Sequence, residues 1–259
     1  MALIERTTTA GNIVEKLRYT RTERKDGPVA RAEKKRISTA AKRAANWYST
    51  QRKLYLLLAA NFLAKHVFVT LTFDELHRAM TRAEAMNAAR RYVRLFRSYC
   101  SGQGRDFKYI YALEQKHGLG GWHVHIIMDA TWADVEAIKS LWEFGEQVDI
   151  EAVGSRGYKQ LAEYLTKERQ EVGNRAFISS QNLSRPVVET RIVPETESEH
   201  IEVPDGCIEL EREEKSNEWG RFCFVRYELP RRRSRVPIEL DTLPDCYSGA
   251  DLILSRGFV

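Results

Sequence analysis

The chain is poor in the residues that build disulfide scaffolds, zinc ribbons and membrane spans. Its 259 residues include four cysteines: Cys100, Cys207, Cys223 and Cys246. They are scattered without C-x-x-C spacing, which argues against a zinc site or a disulfide framework and fits a reducing interior. No apolar run reaches the roughly 18 residues a membrane-crossing helix needs. The N-terminus also lacks the charged, apolar, small-residue succession of an export signal, so a cytoplasmic protein is expected. There is no G-x-x-x-x-G-K-[ST], so a fused phosphate-loop helicase is excluded. What is present, 43% hydrophobic residues over this length, supports a sizeable core in one or two domains.

The net charge of +5 is distributed unevenly. Residues 1–60 carry 14 basic and 5 acidic side chains, residues 61–185 carry 17 and 15, and residues 186–259 carry 10 and 16. A positive front segment suits a polyanion, because neutralised phosphates release counterions; a solvated helix face is the plainer alternative. Met1 to Pro28 is rich in Thr, Arg and Lys with little apolar periodicity and reads as a flexible arm. From Val29 to Phe62 no Pro or Gly intervenes, which predicts one long helix or two short ones. Arg36, Lys42, Arg43, Arg52 and Lys53 then form a basic flank facing DNA, while Trp47 and Tyr48 either stack on bases or join the core. This divides the chain into a basic arm and helix (1–60), a central domain (61–190) and a C-terminal extension with a β hairpin and an acidic loop (191–259).

The stretch Tyr109 to Met128 reads as two strands joined by a glycine-bearing reversal at Gly118, Gly120 and Gly121. His123 and His125 alternate with Val124 and share a face. With Glu114 on the partner strand, two imidazoles and one carboxylate are positioned to converge on a divalent cation. A half-buried sheet face with satisfied imidazole nitrogens is the competing interpretation. Downstream, Gly157 to Gln170 has helical spacing, and Tyr164 and Lys167, three apart, lie on one face. A phenol with a pKa near 10 needs a cation nearby to act as a nucleophile, a role Lys167 can fill. In a Y-x-x-K of no special context, the Tyr packs on a sheet and the Lys is solvated.

The strand His66 to Phe73 (HVFVTLTF), a capped helix from Thr81 to Cys100, the hairpin, a crossover helix over Thr131 to Phe144 and a strand over Gln147 to Val153 precede the Tyr helix. That order is a βαββαβ core, α+β in class and ferredoxin-like or RRM-like in outline, with an antiparallel sheet and helices packed on it.

Together VTLTF (Val69 to Phe73), Glu114 with WHVHI (Trp122 to Ile126) and YLTK (Tyr164 to Lys167) resemble the three-motif signature of HUH endonucleases, the rolling-circle replication initiators of plasmids and phages. The likeness covers residues 50–190, including GNRAFISSQNLSRP (Gly173 to Pro186). It implies the HUH fold, with Glu114, His123 and His125 holding Mg2+ or Mn2+, and Tyr164 attacking single-stranded DNA at a replication origin to leave a 5′-phosphotyrosine. It further implies that Lys167 supports the developing charge, that Thr70 and Thr72, which simple β-propensity explains equally well, reach substrate phosphate, and that host helicase and polymerase are partners. Tyr158 lies six residues before Tyr164, against four in two-tyrosine members, so a single nucleophile is expected. A single-Tyr transposase, a relaxase and a non-catalytic RRM-like nucleic-acid-binding protein remain as alternatives, although the third His typical of relaxases is absent.

Overall fold

Two antiparallel five-stranded sheets share the one long N-terminal helix between them. The structure, a computed structural model, describes residues 2–21, 40–116, 121–167, 175–194, 197, 200–217 and 220–230. In chain order the elements are β1 (Ala2–Ala10), β2 (Ile13–Arg21), α1 (Ala40–Asn61), β3 (Val67–Thr72), α2 (Arg82–Gly102), β4 (Tyr109–Lys116), β5 (Gly121–Met128) and α3 (Val135–Ser140). They continue as β6 (Val148–Ala152), α4 (Val153–Arg156), α5 (Tyr158–Leu165), β7 (Ile178–Ser179), β8 (Val187–Ile192), β9 (Ile208–Asn217) and β10 (Gly220–Glu228). Among the described residues no helix is long and apolar enough to cross a membrane.

The first sheet has the order β6-β3-β5-β4-β7, the ferredoxin-like βαββαβ arrangement expected from the element order, with β7 added at one edge. Strands β3 and β5 lie at its centre and read as near-continuous apolar runs because both faces are covered. One face carries Val67, Val69, Leu71, Val124, Ile126 and Met128 against α2 and α3. The other carries Phe68, Ile110, Ala112 and Ile127 against α1 and α5. Helix α2 begins as its capping pattern predicts: Thr81 Oγ1 accepts from the Glu84 amide at 3.2 Å, while the Glu84 carboxylate accepts from the Met80 amide at 2.8 Å. The end of β3 is clamped by the 142–147 segment, where the Trp142 indole donates to the Thr72 carbonyl at 2.9 Å. A side chain at Gly145 would meet that same carbonyl at 2.3 Å, so the close approach needs glycine.

The second sheet overturns the flexible-arm expectation. Its order is β8-β1-β2-β10-β9, so residues 2–21 supply two of its three interior strands and join the C-terminal strands in one body. The division at residue 60 therefore does not describe the N-terminal part, whose strands pair with a segment some two hundred residues on. The buried positions here include charges rather than a clean apolar stripe. Glu5 accepts from Arg18 at 2.6 Å and from Arg191 at 2.8 Å. Glu15, 1% exposed, accepts from Arg226 at 2.6 Å and pairs with Arg52 of α1. Removing one partner of such a pair costs about 3–5 kcal/mol, because the other charge stays buried. Strand β9 runs through Asn217 and takes in much of the stretch read as an acidic loop. Helix α1 starts within the predicted helical span, and α3 is shorter than predicted. Arg36 and the Gly118–Gly120 turn lie outside the described residues.

A proline in β2 distinguishes a sheet interior from a loose arm. Leu17 pairs with Arg6 on one side and Phe224 on the other. Leu17→Pro is expected to lower the urea unfolding free energy by at least about 1–3 kcal/mol, the cost of an orphaned buried ladder partner, whereas a flexible arm would show no change.

Candidate active site

Register determines which side chains meet. Glu114 pairs directly with His123 and Ala112 with His125 across β4 and β5, so the carboxylate and both imidazoles share the sheet face that α1 and α5 cover. Across β5 and β3, Thr70 pairs with His125 and Thr72 with His123. Their hydroxyls lie 3.1 Å from Nδ1 of His125 and 3.1 Å from Nδ1 of His123. The two threonines expected to reach phosphate are hydrogen-bonding partners of the histidines, since a residue directly opposite is the nearest hydrogen-bonding neighbour a strand side chain has.

Glu114 is the hub. It is 6% exposed, and its Oε2 lies 2.5 Å from His125 Nε2 and accepts from the Tyr164 hydroxyl at 3.1 Å. Oε1 is 2.6 Å from Lys167 Nζ. Burial alone would raise its pKa; the hydrogen bonds from Lys167 and His125 outweigh that and hold it down at about 2. His125, 2% exposed, is pushed to about 4, first by burial, against the pull of Glu114. At neutral pH the carboxylate is thus ionised and the imidazole neutral. An ionised carboxylate only accepts, so Nε2 carries the ring proton and Nδ1 accepts from the Thr70 hydroxyl. Tyr164 is pushed up to about 12, first by burial and then by the charge of Glu114.

The His125 ring stacks on Phe68 with centroids 5.9 Å apart and meets Tyr164 edge-on at 5.0 Å. His123 runs parallel to His125 at 6.3 Å. Among the described residues no three His, Cys, Asp or Glu side chains already close on one point; Glu114 and His125 touch, and His123 stands beside them on the same face. The protonation states suit a divalent cation, which takes an anionic carboxylate and neutral imidazoles as ligands.

Residues 66–169 match the model of a protein family described as replication-associated protein, of the ORF2 type. That segment is similar to the replication-associated family over less than half of the chain. No curated protein and no solved structure matches the chain. The match runs from the start of β3 to just past Lys167 and so contains every side chain of the cluster described above.

Around this core the remaining expected residues fall out differently. Tyr158 does not enter the cluster; its hydroxyl donates to the Phe62 carbonyl at 2.5 Å. Arg52, expected to face DNA, is turned to Glu15 because a carboxylate so far out of water requires a counter-charge. Lys42, Arg43 and Lys53 are on the exposed surface of α1. The Trp47 indole donates to the Thr166 carbonyl at 2.9 Å, joining α1 to the residue before Lys167, and Tyr48 is 64% exposed. Two side chains that no motif flagged also belong to this region. Asp149 of β6 pairs with Thr70 in register and is exposed on the same face. Arg156 at the end of α4 has its guanidinium carbon 5.4 Å from the ring centroids of both Phe68 and Tyr164.

The shifts carry a sign. The folded pKa of Glu114 lies below its ordinary 4.5, so its contribution to stability is complete above 4.5 and is lost as pH falls towards 2. His125 lies below 6.5, so the unfolded chain takes up its proton first and stability falls from pH 6.5 downward. The urea midpoint is therefore expected to decline from pH 7 to pH 3, and Glu114→Gln to flatten that decline below pH 4.5. An equally steep decline in the variant would contradict the assignment.

Proposed function

We propose that this is a rolling-circle replication initiator that nicks and rejoins single-stranded DNA through Tyr164. The observation carrying this reading is the hydrogen bond from the Tyr164 phenol to Glu114 Oε2, at 3.1 Å and beside His125 Nε2 at 3.4 Å. It sets a nucleophile against the side chains suited to hold a cation, inside a replication-associated domain.

Glu114, His123 and His125 would hold Mg2+ or Mn2+. The ion, when bound, supplies Lewis acidity towards a non-bridging phosphate oxygen and cancels the carboxylate charge that helps raise the Tyr164 pKa. The other parts are the chain's own. The Thr70 and Thr72 hydroxyls serve either imidazole tautomer, accepting from Nδ1–H when Nε2 must present its lone pair. Lys167 Nζ lies 4.1 Å from the Tyr164 ring centroid, close enough to favour the phenolate over the phenol. Packing of the Tyr164 ring against Phe68 and His125 fixes the direction of its hydroxyl, which limits the approach to one geometry.

In the reaction the phenolic oxygen forms a bond to phosphorus and the bond to the 3′-oxygen breaks. The departing oxygen gains a proton and becomes a free 3′-hydroxyl, while the 5′-phosphate stays on Tyr164. The phosphodiester energy is retained in that link, so the cut can be reversed or passed to another end, as starting and finishing a rolling circle requires. The substrate is then single-stranded DNA at the origin of a plasmid or phage in a prokaryotic cytoplasm, with host helicase and polymerase following.

Incubation with a labelled single-stranded origin oligonucleotide and Mn2+ is expected to give a covalent adduct that Tyr164→Phe abolishes. His125→Ala or a chelator is expected to slow it by about 10²–10⁴-fold, the worth of a few kcal/mol of charge stabilisation. Binding that ignores chelator, with no adduct, would instead indicate a nucleic-acid-binding protein without catalysis.

A further inference from the structure

We propose that Arg156 is a substrate-contacting residue that leaves Glu151 and binds a backbone phosphate of the single strand lying over Phe68 and Tyr164. The inference rests on the reading above that single-stranded DNA enters this site, and concerns a residue outside the three motifs that define it.

Placement comes first. Helix α4 is a single turn between β6 and α5, and its last residue is Arg156. Gly157 follows at φ +77, a conformation that lets the chain reverse into α5 at once. The turn is seated by the Gly154 amide donating to the Ala64 carbonyl at 2.9 Å. Glu151 pairs with Phe68 in the sheet register, so it stands on the same face, next to the aromatic group. Arg156 donates to it through Nε at 2.6 Å and Nη2 at 2.7 Å. The guanidinium thus lies over two rings, at 5.4 Å from each, on the outer side of the Phe68, His125 and Tyr164 cluster.

Two cations therefore flank the Tyr164 ring, and their partners differ. Lys167 is bound to a carboxylate that is 8% exposed in its side chain, whereas Arg156 and Glu151 are 37% and 40% exposed. An ion pair as open as the second is weak in water, so a phosphate displaces the carboxylate at little cost. The planar fork that holds Glu151 through two bonds fits phosphate in the same way. The aromatic faces keep the guanidinium in place during the exchange, so little rotamer freedom is lost.

The test uses the full chain carrying Tyr164→Phe, which binds without cutting. Its affinity for a fluorescent single-stranded oligonucleotide is measured over a series of NaCl concentrations in chelator. Adding Arg156→Ala is expected to make the slope of log affinity against log salt shallower by about 0.7, the share of one single-strand phosphate, and to weaken binding about tenfold at low salt. Glu151→Gln, which removes the competing carboxylate, is expected to tighten binding several-fold. An unchanged slope in the first variant overturns the proposal. If that variant does not fold, unchanged or weaker binding by Glu151→Gln overturns it instead. The covalent adduct of the protein with Tyr164 intact separates the two readings. An adduct together with an unchanged slope removes only the role of Arg156. A shallower slope without an adduct removes the nicking reading and leaves Arg156 as a binding residue.

Discussion

A carboxylate almost wholly removed from water must be paired, and the site is arranged around that requirement at Glu114. Its two oxygens take a lysine ammonium, an imidazole and a phenol, the imidazole from β5 and the other two from α5 and the residues just after it. If the charge were unpaired, burial would protonate it; paired, it stays ionised and fixes the other three. The neutral imidazole and the raised phenol pKa follow from the same burial. One desolvated charge thus specifies the geometry of the cluster, while burial leads in setting the protonation states of the imidazole and the phenol.

The sheet delivers these groups through register. Because side chains alternate with a period of two, a slip of one residue between β4 and β5 would turn Glu114 from the α5 side to the α2 side. The apolar residues opposite hold the register: Val124, Ile126 and Met128 fill the core under α2, and a slip would take them out of it. Core packing on one face therefore enforces chemistry on the other. Helix α5 completes the cluster because Leu161 and Leu165 pack into the second core, which turns Tyr164 towards Phe68 and His125.

Much of this was legible in the chain. The alternation of His123, Val124 and His125 predicts a shared face, and the three- and four-residue spacing around Tyr164 predicts its helix. The order of elements predicts the βαββαβ core, and Thr81 marks the start of α2. The N-terminal strands were not legible, for a physical reason. Residues such as Glu5 and Glu15 are polar by composition and buried in fact, because counter-charges they need, Arg191 and Arg226, come from about two hundred residues away. No local period announces such a strand. The partners of Thr70 and Thr72 were hidden likewise, since hydroxyls on a β-branched strand look like simple propensity until the neighbouring strand is placed. Arg52 read as a DNA-facing cation for the same lack of its distant partner, Glu15.

The central claim is that the phenol resting on Glu114 is the group that becomes joined to DNA. Its most direct test is peptide mapping by mass spectrometry after reaction with a single-stranded origin oligonucleotide and Mn2+, followed by nuclease trimming. The account expects a 5′-linked nucleotide on the peptide that contains Tyr164, at that residue alone. A nucleotide on Tyr158 or any other side chain, or none on any peptide while the strand is bound, would contradict it.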